Sequence, residues 1–270
     1  GNTIHLPGLP VDSDEILIGL ARGYIDHESA HIRDTNFDAV QKANLTPLEM
    51  NIWNCIEDWR VEENLASTFP GCKSNFHWLI RHVLGESKID AQSPPVKLIP
   101  DWILLTVRSW HVPELFGSRD QAEAIIESCY PGLSGKIKLI LQEARSNCVT
   151  TGDSILYAKK IVSLLKFEAT EKPSHQPSSN KKQKTQKNGK NDAPEQIPTG
   201  DKNQQSASQH QLERLIHARE GDLPKGTGEI LQEHLAKGAS SGSQDKVSVA
   251  VVGRSEERRV GKECRSRWSP

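Results

Sequence analysis

The sequence predicts a mainly α fold led by one short strand, on three observations. From about residue 13 to 170, apolar residues recur three and four apart, with capping residues at segment starts and Pro-Gly or Thr-Gly breaks between segments. Only residues 3–6 and 247–252 read as β-like runs. Beyond residue 170 the composition shifts abruptly to Lys, Gln, Asn, Ser and Pro. Four regions follow: a helical domain over 1–170, a disordered linker over 171–211, a helical segment over 212–253 leading into a domain that is otherwise missing, and a tail over 254–270 foreign to the fold.

Taken in order, Thr3-Ile4-His5-Leu6 is a strand closed by Pro7-Gly8-Leu9-Pro10, either an edge able to pair with an extended peptide or an ordinary leading strand. Asp12 with Glu15 reads as the cap of a helix from about Ser13 to Asp34. Its apolar stripe, Leu17, Leu20, Ala21 and Tyr24, continues by threes and fours onto His27, Glu28 and His31. These residues form an H-E-x-x-H pattern. Two imidazoles one turn apart face the same way and can share one zinc ion, while Glu28 reaches a water in an open coordination position as general base. The inward stripe is where a metal site belongs, and also where a pair of packed core histidines would sit.

Residues 36–44 read as a connector. Thr46-Pro47-Leu48-Glu49 then starts a second helix, with Thr46 as N-cap, Pro47 at the first helical position and Glu49 closing the capping box. Glu57 falls in line with Met50, Trp53 and Val61, so a buried carboxylate needs a partner. A metal supplies one, which makes Glu57 the expected third ligand, 26 residues past His31, as in thermolysin-like zinc peptidases. A salt bridge to Arg60 or Arg33 is the alternative for Glu57. Asp58, about 100° round the helix beside Asn54 and Glu62, is expected to hydrogen-bond a ligand histidine, to serve as the alternative ligand, or to be solvated.

Five further helices are expected around Phe76–Leu84, Ile99–Trp110, Gln121–Tyr130, Leu133–Cys148 and Ser154–Phe167. His77, His82 and His111 have no ligand spacing to one another and read as packed or surface residues, and the tryptophans as core anchors. Helical periodicity returns at Leu212, Leu215 and Ile216, then at Ile230, Leu231 and Leu235, before the β-like run 247–252, whose partners are expected to be missing.

The final stretch RSEERRVGKECRSRWSP matches a translated sequencing-library adapter and is excluded from fold reasoning. Removing its six Lys+Arg and three Asp+Glu from totals of 34 and 35 leaves 28 against 32, a net of −4 that withdraws compositional support for nucleic-acid binding. The Lys181-Lys182-Gln183-Lys184 cluster reads as part of a solvated tether. Cys55, Cys72, Cys129 and Cys148 are widely spaced, as in reduced thiols of a cytoplasmic protein. No apolar run is long enough to span a membrane.

The string GYIDHESAHIRDTNF followed by NIWNCIEDWRVEENL resembles the metallopeptidase-like region of CobT-like proteins, relatives of the CobT subunit of cobaltochelatase. The resemblance covers about the first 170 residues and the linker. It implies a zincin-like helical domain, a following von Willebrand factor A domain absent from this chain, and a CobS- or MoxR-like AAA+ ATPase partner in an enzyme that inserts cobalt into a corrin ring. Two functions are then expected. One is zinc-dependent peptide hydrolysis, with His27, His31 and Glu57 as ligands, Glu28 as base, and Arg33 or Arg60 at the oxyanion. The other is a non-catalytic adaptor for the ATPase, in cobalamin biosynthesis or protein remodelling.

Overall fold

The computed structural model describes residues 3–7, 9, 12–85, 89–90, 93–170, 200–239 and 246–250. It is mainly helical: β1 (Thr3–Pro7), α1 (Glu15–Asp34), α2 (Phe37–Ala43), α3 (Pro47–Thr68), α4 (Pro70–Leu84), α5 (Pro95–Arg108), α6 (Phe116–Cys129), α7 (Leu133–Asn147), α8 (Thr151–Thr170), α9 (Gly200–Ile216), α10 (Thr227–Ala239) and β2 (Lys246–Ala250). No helix among the described residues is long and apolar enough to cross a membrane.

The start of α3 follows from its sequence. Thr46 Oγ1 accepts from the Glu49 amide at 3.3 Å, and Glu49 Oε2 accepts from the Thr46 amide at 2.9 Å, so both orphan donors of the first turn are satisfied. At α1 the cap is Asp14, not Asp12: its Oδ1 accepts from the Leu17 amide at 2.7 Å. The stretch 36–44 is not a plain connector. Asn36 caps a two-turn helix, α2, which Asn44 ends in the left-handed region at φ 47°, a conformation that asparagine tolerates.

Helix α3 is the axis of the fold and packs against α1, α4, α5 and α8. Leu48, Ile52 and Ile56 on α3 meet Ile99, Trp102 and Ile103 of α5 in a core that continues through Leu115, Ile126, Ile137, Ile161 and Leu165. A second cluster joins Leu17, Leu20 and Tyr24 of α1 to Leu79 of α4 and to Leu231 and Leu235 of α10. A third, Ala30, Val61, Leu65 and Phe76, fills the space between α1, α3 and α4.

The C-terminal elements differ from expectation. Helix α9 begins at Gly200, inside the range read as linker; residues 171–199, and the tail 254–270, lie outside the described residues. The described helices of the 212–253 segment pack on the first 170 residues. Leu212 and Leu215 on α9 are buried in the main core, with α9 against α8 and α5, while α10 lies on α1 and α3. Strand β2 has a partner as well: it pairs antiparallel with β1, Thr3 opposite Ala250 and Pro7 opposite Lys246. Helices α9 and α10 carry apolar residues that close cores begun by the first 170 residues.

Where α1 crosses α4, a Cβ built on buried Gly23 would stand 2.9 Å from Leu79 Cδ1 and 3.0 Å from Leu79 Cβ. Gly71, at the start of α4, has nothing within 4 Å. Gly23→Val is expected to lose about 1–3 kcal/mol in urea unfolding, whereas Gly71→Ala is neutral or gains up to about 1 kcal/mol. A Gly23→Val chain as stable as its parent would contradict this crossing.

Candidate metal centre

The centre is built by two antiparallel helices that present pairs at the same one-turn spacing. His27 on α1 lies opposite Glu62 on α3, and His31 opposite Asp58. One donor atom each from His27, His31 and Asp58 lies within 4.8 Å of the others. His27 is 2% exposed and Asp58 5%, so this is an interior cluster. The imidazole centroids are 4.8 Å apart, with the rings nearly perpendicular at 78°.

Hydrogen bonding fixes both tautomers. His27 Nδ1 is 2.8 Å from Glu62 Oε1, a carboxylate oxygen that only accepts, so Nδ1 carries the proton. Thr35 Oγ1 donates its hydrogen to Glu57 Oε1 at 2.9 Å and therefore accepts from His31 Nδ1 at 3.0 Å. Each Nε2 is left to the interior of the cluster. His31 Nε2 stands 3.1 Å from Asp58 Oδ1, a contact that needs a positive centre between the two atoms, either a proton or a metal ion. Donors of a tetrahedral zinc site lie about 3.3 Å apart. Two Nε2 atoms and a carboxylate oxygen, each histidine braced through its other nitrogen, fit such an ion.

The carboxylates are held by a residue that sequence reading missed. Arg108, the last residue of α5, donates from Nη1 to Glu62 Oε2 at 2.7 Å and from Nη2 to Asp58 Oδ2 at 2.8 Å, with Thr227 Oγ1 accepting from Nη2 at 2.9 Å. Burial opposes ionisation of Asp58 and Glu62, but Arg108 and the histidine contacts outweigh it and hold both below the usual carboxylate range. Burial likewise disfavours the His27 imidazolium; the Glu62 hydrogen bond and the Asp58 and Glu62 charges reverse this and raise its pKa.

Glu57 is not brought to the histidines. It is fully buried on the α8 side, where Oε1 accepts from Arg60 Nη2 at 2.6 Å and Thr151 Oγ1 at 2.9 Å, and Oε2 accepts from Arg60 Nε at 2.9 Å and Ser154 Oγ at 2.6 Å. The salt-bridge alternative accounts for it, and Asp58 takes the third place in the cluster. Arg60 spends its remaining donors on Asp34 O and Val149 O, and Arg33 lies 5.2 Å above the Phe69 ring, so neither is presented as an oxyanion partner. Glu28 is partly exposed, beside the Tyr24 hydroxyl, which Gln232 of α10 also contacts at 2.9 Å. A Cβ on Gly228, in the first turn of α10, would lie 3.6 Å from His27 Nε2 and 3.9 Å from Glu28 Oε1. Asp58 is expected as a histidine partner or alternative ligand; the signal for Glu62, to which sequence reading gives no role, is the spacing itself: Asp58-x-x-x-Glu62 mirrors His27-x-x-x-His31.

The model of one family, described as cobalamin biosynthesis protein CobT, matches residues 1–237. No curated protein and no solved structure matches the chain.

In isothermal titration with zinc, Asp58→Asn is expected to weaken binding at least about 100-fold and Glu62→Gln about 10–100-fold, with Glu57→Gln within about threefold of the parent. Equal losses for Asp58→Asn and Glu57→Gln would restore Glu57 as a ligand. Arg108→Met leaves two buried carboxylates without their cation and is expected to cost about 3–5 kcal/mol in chemical unfolding.

Proposed function

The chain belongs to the cobalamin biosynthesis protein CobT family, and on that premise we propose that it is a metal-binding, non-hydrolytic subunit of a cobaltochelatase-type assembly driven by an AAA+ ATPase. In this reading His27, His31 and Asp58 hold a zinc ion that ties α1 to α3, with Glu62 and Thr35 orienting the imidazoles. The family match supports the assembly. One observation carries the non-hydrolytic role: the first turn of α10 rests on the face of the centre where His27 Nε2 and Glu28 meet, so the chain's own backbone stands where a scissile peptide would have to lie.

Bound zinc would supply Lewis acidity and a water of lowered pKa. A hydrolase needs that water exposed to substrate. Here Thr227 is fixed to Arg108, Gln232 to Tyr24, and Asn51 Nδ2 to Pro224 O at 2.8 Å, so the segment covering the site is tied to α5, α1 and α3. The adaptor function uses the ion as a brace: it keeps the α1–α3 surface in one shape for its partner.

Elemental analysis of the full chain is expected to give about one zinc per chain, lost in His27→Ala. Glu28→Gln is expected to keep zinc, thermal stability and binding to a CobS-type ATPase. Wild-type cleavage of a peptide substrate that Glu28→Gln abolishes would replace this reading with the hydrolytic one.

A further inference from the structure

The first half of α1 exposes apolar side chains that none of the described residues covers. Ile16 is 48% exposed and Ile18 41%, and Trp78 of α4, 36% exposed, lies beside them. Trp78 is seated on Gly19: a Cβ built there would stand 2.6 Å from Trp78 Cη2, so only glycine lets the indole lie against the α1 backbone. These residues border a groove of about 660 Å³ between the two helices. One exposed isoleucine on a helix is ordinary, whereas two beside a tryptophan at one groove mark a contact surface.

The charges at the groove say what fits it. Glu15 and Arg22 border it too, both exposed, and neither makes a hydrogen bond or ion pair with another described residue. Seven residues apart on one helix face, they stand about 10 Å from each other, too far to pair within the chain. Glu15, Ile18, Gly19 and Arg22 fall at i, i+3, i+4 and i+7, and such a ridge is self-complementary when laid antiparallel on itself about a twofold axis between Ile18 and Gly19. Glu15 of one copy then faces Arg22 of the other, at both ends of the contact. Ile18 of one copy meets the other where Gly19 offers no side chain of its own and Trp78 supplies the apolar surface. A wholly acidic or wholly basic partner helix would satisfy one of the two charges and repel the other, whereas a second copy of this chain satisfies both.

We propose that the Glu15–Arg22 ridge of α1 is a homodimer contact, in which two copies of the chain pack this helix antiparallel across a twofold axis. A small apolar centre closed by two exposed ion pairs makes a weak, concentration-dependent dimer. On α1 this ridge is turned away from the metal centre: His27 is nine residues on from Ile18, half a turn round the helix, and points to Glu62 of α3. The contact therefore stands whether or not the centre holds an ion.

The test is sedimentation equilibrium of the full chain at concentrations up to about 1 mM, the range in which a small interface associates. The parent is expected to show a monomer–dimer equilibrium. Arg22→Glu and Glu15→Arg each set like charges opposite one another at both ends of the contact, and each is expected to weaken the dimer at least about tenfold, as is Ile18→Glu. The decisive sample is an equimolar mixture of Arg22→Glu and Glu15→Arg, in which both opposite-charge pairs re-form between the two variants; it is expected to associate at least about tenfold more tightly than either variant alone. Arg22→Glu and Ile18→Glu alter exposed side chains behind the helix start, so their effect stands even if Glu15→Arg disturbs the first turn. A parent that stays monomeric, a dimer unchanged in Arg22→Glu, or a mixture that associates no better than its components would overturn the proposal.

Discussion

The guanidinium of Arg108 is the charge on which the centre turns. Asp58 and Glu62 lie one turn apart on α3, both buried, and two ionised carboxylates so placed repel each other and give up hydration worth several kcal/mol apiece. A single planar fork reaches both, as a lysine's point charge would not. Because it takes Asp58 Oδ2 and Glu62 Oε2, the remaining oxygens are turned toward α1, Oδ1 to His31 and Oε1 to His27. The orientation of both imidazoles is therefore set from α5, through α3, before any ion is considered.

That fork stays in place because of apolar packing upstream of it. Arg108 ends α5, whose Ile99, Trp102, Ile103 and Val107 are fully buried, so the helix end is positioned by the main core and not by its own charges. The neighbouring Glu57–Arg60 pair repeats the solution on the other side of α3, with Arg60 donating to both Glu57 oxygens and Thr151 and Ser154 of α8 each adding a second donor to one of them. Two adjacent carboxylates in sequence thus serve two different interfaces. Glu57 fastens α3 to α8, and Asp58 faces the histidines.

This explains what could be read from residues alone. The H-E-x-x-H stripe and the capping box of α3 are local patterns, and each reappears in the structure at the expected helix. The choice between Glu57 and Asp58 is not local. Leu48, Ile52, Trp53, Cys55, Ile56, Glu57, Asp58, Trp59, Arg60, Val61 and Glu62 are all buried, so from Leu48 to Glu62 α3 has no solvent face and its periodicity points to no single neighbour. Only the packing of α1 and α8 on opposite sides decides which carboxylate meets which helix. Arg108 was out of reach for the same reason: a lone arginine at a helix end reads as a favourable dipole contact.

The same reasoning bears on Gly226-Thr227-Gly228, which the sequence shows only as a break between two helical patterns. A Cβ at Gly226 would lie 3.6 Å from Asn54 Nδ2, and one at Gly228 3.6 Å from His27 Nε2, so backbone lies against α3 on one side and α1 on the other. Between them Thr227, 1% exposed, accepts from the Arg108 fork through its hydroxyl oxygen. Glycine in a helical turn gives up as much as about 1 kcal/mol against alanine. Here it permits an approach that any side chain much larger than a methyl would block at the histidine. The α10 segment and the metal centre therefore constrain each other: an ion that fixes His27 also fixes the surface on which Gly228 rests, and binding free energy at the centre is shared with the docking of a helix far along the chain.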